Sequence, residues 1–155
     1  MTETNTCIPD RDSAEKERLT LRKSAKLRHR TLVRTLFEKG KSVYAGPLRL
    51  TYRPLSAEQL AGSFREDVPD LIGPVQLMIT VPKKKRRHAV DRVLMRRRIR
   101  EAFRLQYHPL RRIIESNPDI RTLSIGIVYM DSFNSDMNEI QSSMGRAIDK
   151  LIKKL

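Results

Sequence analysis

Apolar residues recur at helical spacing in three stretches of the chain. Leu27, Leu32, Val33, Leu36 and Phe37 share one face and Gly40 follows as a stop signal, so the spacing predicts a first helix with Ser24 as its N-cap. Over residues 89–107, Met95, Ile99 and Ala102 group on one side, flanked by Val90, Leu94, Phe103 and Leu105. Pro109 ends this second helix, and a short helical turn covers Leu110 to Ser116. Met137, Ile140, Met144, Ile148, Leu151 and Leu155 form one apolar stripe of a third helix. Strands read between the helices. Ser42 to Pro54 alternates, with Leu48, Leu50 and Tyr52 on one face and Arg49, Thr51 and Arg53 on the other, and Gly46-Pro47 bends or begins it. Val75–Val81 and Ile120–Met130 read as buried strands, so a strand–helix–strand unit covers 75–130. Residues 55–74, rich in proline, glycine and acids, read as an inserted loop with a short helix at Ala57 to Phe64. Residues 1–18 are polar and aperiodic and read as a disordered lead, leaving 19–155 as a single domain.

Length and composition narrow the class. A chain of 155 residues suits one core, and 39% apolar content is too high for a wholly disordered chain. No stretch approaches the roughly 20 apolar residues of a membrane span. The first twenty residues lack the apolar segment of a secretory signal, and a single cysteine, Cys7, forms no internal disulfide. These features point to a reducing, cytoplasmic setting.

Charge changes the picture most. The formal net charge is +14. A chain that keeps so much self-repulsion needs a polyanionic partner, nucleic acid first and an acidic membrane surface second, unless the charge serves only solubility. Solubilising charge should be spread out, and this charge is not. From Lys83 to Arg104, eleven basic side chains face only Asp91 and Glu101, a local net of +9. On the helix, Arg92, Arg96, Arg97, Arg100 and Arg104 fall in an arc of about 140° opposite the apolar side. Val93 intrudes on that arc and Arg98 falls among the apolar positions. Solvated helix faces usually mix signs to form i,i+4 pairs, and this one hardly does. The string Pro82-Lys83-Lys84-Lys85-Arg86-Arg87 also has the form of a nuclear localisation signal, but it lies between a buried strand and a packed helix.

Protein-borne chemistry finds little support. His29, His88 and His108 lack metal-ligand spacing, and there is no cysteine pair, phosphate-binding glycine loop or nucleophile elbow. Asp131, Asp136 and Glu139 suit capping of the last helix better than cation binding. No catalytic residue and no protein-bound metal is expected.

Three segments carry a family resemblance: Ile79-Thr80-Val81-Pro82-Lys83-Lys84, His88-Ala89-Val90-Asp91-Arg92, and Arg96-Arg97-Arg98-Ile99-Arg100-Glu101-Ala102-Phe103. Together they resemble the signature of the bacterial ribonuclease P protein subunit, a strand ending in S-V-S/P-K, a short basic loop, then A-V-x-R-N-R-x-K-R-x-x-R-E-x-[FY]. Leu36-Phe37-Glu38-Lys39-Gly40 followed by a strand is similar to the family's first helix and turn, and the likeness covers roughly residues 20–153. Arg92-Val93-Leu94 departs from R-N-R, so no specific contact is carried to Val93 or Leu94. The loop Lys83 to Arg87 is longer and more basic than the family's.

The resemblance implies an α+β fold, a two-layer sandwich of a four-stranded sheet and helices with an uncommon left-handed βαβ crossover. It implies the protein component of ribonuclease P, an endoribonuclease whose chemistry is carried by a catalytic RNA with Mg²⁺ ions held mainly by that RNA. The partners it implies are this RNA and precursor tRNA, whose 5′ leader is removed. Expected RNA-binding residues are Lys83, Lys84, Lys85, Arg86, Arg87, His88, Arg92, Arg96, Arg97, Arg100 and Arg104. A leader cleft is expected at Phe37 and Tyr52, because unpaired bases stack on aromatic faces. Two other readings share the electrostatics. One is a non-catalytic, ribosomal-type RNA-binding protein. The other is a DNA-binding protein, which lacks base-reading Asn or Gln on its basic arc.

Overall fold

The apolar alternation of two long strands builds the centre of a sheet. The computed structural model describes residues 21–69 and 72–155. Strand β1 (Lys41–Ala45) turns at Gly46-Pro47 into β2 (Leu48–Leu55), followed by β3 (Val75–Thr80) and β4 (Thr122–Tyr129). The order is β1-β2-β4-β3, with β2 antiparallel to β1 and β4, and β3 parallel to β4. Among the described residues five α-helices complete the fold: α1 (Arg30–Lys39), α2 (Ala57–Gly62), α3 (Ala89–Gln106), α4 (His108–Ser116) and α5 (Met137–Lys154). The parallel pair β3 and β4 is joined through α3 and α4, since parallel neighbours need a long crossover.

Register divides the side chains between two faces. Leu48, Leu50 and Tyr52 of β2 and Leu123, Ile125, Ile127 and Tyr129 of β4 pack on Met95, Ile99 and Phe103 of α3 and on Ile140, Met144 and Leu151 of α5. This sandwich is the larger core, and Leu110 and Ile114 of α4 extend it. On the opposite face α1 lies across the sheet, and Leu27, Leu32, Leu36, Leu55, Leu60 and Ile72 form a second, smaller core. Gly126 allows that close approach. A Cβ there would stand 3.0 Å from Cζ of Phe37 and 3.2 Å from Cδ2 of Leu36.

Local signals account for most element ends. Asp136 caps α5, its Oδ1 accepting from the Glu139 N–H at 2.8 Å, as the sequence suggested. Within the 55–74 segment, α2 starts with a capping box in which Ser56 Oγ accepts from the Gln59 N–H and Gln59 Oε1 accepts from the Ser56 N–H. Gly46 adopts φ +54 in the hairpin turn, where a side chain would strike Ser143 of α5.

Several sequence expectations need correction. Helix α1 starts at Arg30, and Ser24 lies in a 3-10 turn (Lys23–Ala25) without capping it. Leu27 is outside the helix. Its N–H donates to the Leu77 carbonyl at 2.9 Å, so the segment runs beside β3. Residues 108–116 form a full helix, with Pro109 in its first turn, where no N–H is required. The expected disordered lead falls outside the described residues. In the loop after β4, Phe133 is 59% exposed.

Phe103 is fully buried between α3 and the sheet. Phe103→Ala is expected to cost about 3–5 kcal/mol of stability through the cavity it leaves, read from urea unfolding.

Candidate nucleic-acid interface

Helix α3 turns Met95, Ile99, Ala102 and Phe103 inward. That fixes where its arginines go, and they divide into two groups. Arg92 donates to the Arg86 and Arg87 carbonyls at 2.9 and 2.7 Å, folding the preceding loop back onto the first turn of the helix. Arg86 pairs with Asp91 at 3.1 Å and also donates to the Ser132 carbonyl. Arg98, the charge among apolar positions, reaches the Ser135 carbonyl, and Asn134 donates to Asp91 at 3.1 Å. The loop after β4 is thereby tied to α3. Arg104 is bound to Glu101, whose carboxyl is held below its usual range by that hydrogen bond.

The second group points outward. Arg97, Arg100, Lys83, Lys84, Lys85 and Arg87 are exposed and Arg96 is half-buried. None has a carboxylate or hydrogen-bond partner for its side chain among the described residues. Lys83, Lys84, Arg87 and His88 line an open hollow of about 580 Å³. His88 is the N-cap of α3 by backbone position, with no side-chain capping bond. Three cationic side chains and one imidazole around an open hollow suit a phosphate group. Arg86 and Arg92 belong to the scaffold of this surface more than to its outer face.

The second candidate region is the sheet face under α1. Thr51 and Gly126 are register partners, and so are Ser42 and Thr51, whose hydroxyls lie 3.2 Å apart. Arg49 and Val128 pair in the next row, with Tyr44 opposite Arg49 and Thr80 opposite Val128. Phe37 covers Gly126 and remains 44% exposed, so it forms a wall beside the row Tyr44, Arg49, Val128 and Thr80. The other end of the face is closed by α1 and the insertion, burying Gln76 and Ser124.

Tyr52 is not part of this region. It is 2% exposed in the larger core, on the opposite side of the sheet from Phe37, and burial raises its phenol pKa. The expected pairing of Phe37 with Tyr52 in one cleft is corrected: neighbouring strand positions point to opposite faces, and Tyr52 shares the face of Leu48 and Leu50. The exposed aromatic on the correct face is Tyr44, which the sequence reading passed over. The alternation that put Arg49 opposite in sense to Tyr52 was the available signal.

The histidines sit apart. His29 meets Phe64 edge-on at 5.0 Å, and His108 lies 4.6 Å from the Tyr107 ring, its pKa lowered by burial and then by Arg111 and Arg112. No cluster of metal-ligating side chains occurs among the described residues.

Comparison with known proteins bears on this geometry. The ribonuclease P family model matches residues 21–151. The chain belongs to the ribonuclease P protein family. Ribonuclease P protein components from two strains of Porphyromonas gingivalis are 32% identical over 128 residues, spanning 81% of this chain and 85% of theirs. The solved RNase P protein of Staphylococcus aureus superposes with a TM-score of 0.54 at 19% identity, covering 82% of this chain and 94% of its own. That of Thermotoga maritima gives 0.50 at 18%, covering 84% and 96%. These two share the fold. Val93 is exposed and Leu94 half-buried.

Because Arg92 holds the loop by two carbonyls, Arg92→Ala is expected to speed amide hydrogen exchange at Lys85 and Arg86 at least severalfold, leaving α5 amides unchanged.

Proposed function

We propose that this chain, a ribonuclease P protein component, docks the catalytic RNA on the outward arginines of α3 and the Lys83–Arg87 loop, and lays the 5′ leader of precursor tRNA along the sheet face beside Phe37. The carrying observation is the set of basic side chains that α3 and its loop leave without partners. A cationic surface with rigid supports attracts a polyanion over the Debye length and releases the counterions condensed on it. Guanidinium groups then bind phosphate oxygens in pairs. On the other side of the sheet, an exposed ring offers a stacking surface that tolerates any base, as a leader of variable sequence requires.

In this reading the protein contributes binding and alignment. Holding both catalytic RNA and leader reduces the freedom lost when the scissile bond reaches the reactive centre. Hydrolysis is assigned to the RNA and the Mg²⁺ ions it holds, and no protein side chain is assigned a chemical step. The reading places the complex in the cytoplasm. Among the described residues no helix is long and apolar enough to cross a membrane.

Reconstitution with a bacterial ribonuclease P RNA at low Mg²⁺, scoring leader removal, tests the proposal. A protein that binds RNA without restoring cleavage would favour the ribosomal-type reading. Arg96→Ala and Arg100→Ala should each weaken binding to the catalytic RNA by roughly 1 kcal/mol or more and lower the slope of log affinity against log salt by about 1. Phe37→Ala should weaken binding of leader-bearing substrate by about 1–3 kcal/mol and leave mature tRNA binding unchanged, as measured by filter binding.

A further inference from the structure

We propose that Tyr44 and Arg49 form a second docking point for one unpaired nucleotide of an RNA strand, with the base on the Tyr44 ring and its phosphate on the Arg49 guanidinium. The inference rests on the leader reading above and extends it to residues that the sequence signature does not contain.

Tyr44 is 58% exposed although it sits within a paired strand. Its main chain is fixed on both sides. Register pairs it with Arg49, and its carbonyl accepts from Nζ of Lys150 on α5 at 2.8 Å. The guanidinium carbon of Arg49 lies 5.8 Å from the centre of the ring. Nε and Nη2 of Arg49 each reach Ser42 Oγ at 3.4 Å, and Ser42 in turn meets Thr51. Those long bonds orient the guanidinium while leaving other N–H donors of the five available for an anion. No carboxylate pairs with Arg49 among the described residues.

The pair is also placed for continuity. Tyr44, Arg49, Val128 and Thr80 form one row across all four strands. Three strand spacings make this row about 14 Å long. It passes Phe37 and ends where β3 leads through Pro82 to Lys83 and Lys84. A single strand laid along it would meet a ring and a cation at the β1 rim, the Phe37 wall in the middle and the lysine loop at the other end. A core role does not account for Tyr44, which belongs to neither hydrophobic cluster and is mostly exposed.

The chain has no tryptophan, so Tyr44→Trp introduces a single fluorophore at the point in question. The test uses the full chain assembled with a bacterial ribonuclease P RNA, titrated with precursor tRNA and with mature tRNA. The proposal expects Trp fluorescence to be quenched by precursor tRNA alone. It also expects Tyr44→Ala to weaken precursor binding about tenfold while Tyr44→Phe, which keeps the ring, stays within about twofold of the parent. An abasic substitution at one leader position should weaken the parent but add nothing to Tyr44→Ala. Precursor binding by Tyr44→Ala equal to that of the parent, with Phe37→Ala still defective, would overturn this proposal and spare the leader reading. A parent complex that binds precursor and mature tRNA equally would instead remove the leader reading, and this proposal with it.

Discussion

The register between β2 and β4 is the constraint on which the rest of the molecule depends. Pairing Leu50 with Ile127 and Tyr52 with Ile125 sends these side chains, with Leu48, Leu123 and Tyr129, toward α3 and α5. The intervening row, Thr51 with Gly126, is small and lets α1 settle on the other side. A slip of one residue would exchange the two faces, placing leucines under solvent and arginines in the core. The division gives the sheet two uses. One face anchors the basic helix, and the other stays partly open next to Phe37.

The arginines show how so much positive charge is accommodated. Arg86, Arg92 and Arg98 direct guanidinium groups to backbone carbonyl oxygens or to Asp91, where they tie loops to α3. Their charge is partly compensated by these dipoles and by one carboxylate. The outward group keeps its charge uncompensated among the described residues and repels itself. That repulsion is tolerable because the scaffold group, with the apolar back of α3, holds the helix in place. Counterions, or the phosphates of a bound RNA, relieve the remainder.

Much of this was legible in the sequence, for identifiable reasons. Helices α3 and α5 have long apolar stripes, and β4 has a sustained apolar run, so their existence and their inward residues could be read from spacing alone. The basic arc and the motif residues of α3 made the family readable. Leu27 misled because its spacing from Leu32 is compatible with a helix, while its actual partner, Leu77, is fifty residues away. The division of labour among arginines was hidden for a similar reason, since the carbonyls of Ser132 and Ser135 are distant in sequence. Tyr52 was different: the period of two already placed it with Leu48 and Leu50 on the buried face. Phe133 stays outside because its loop contributes a carbonyl to Tyr129 rather than a ring to the core.

The short contact between Lys26-Leu27 and β3 has a consequence for the solution behaviour of the chain. A sheet with an open edge invites strand addition by another molecule, and such growth ends in aggregates. Here one rim is partly occupied by the chain's own extended segment, and at the opposite rim the Tyr44 carbonyl is already taken by a lysine ammonium. The molecule can therefore offer a broad pleated surface to a ligand while discouraging its own copies from polymerising along it.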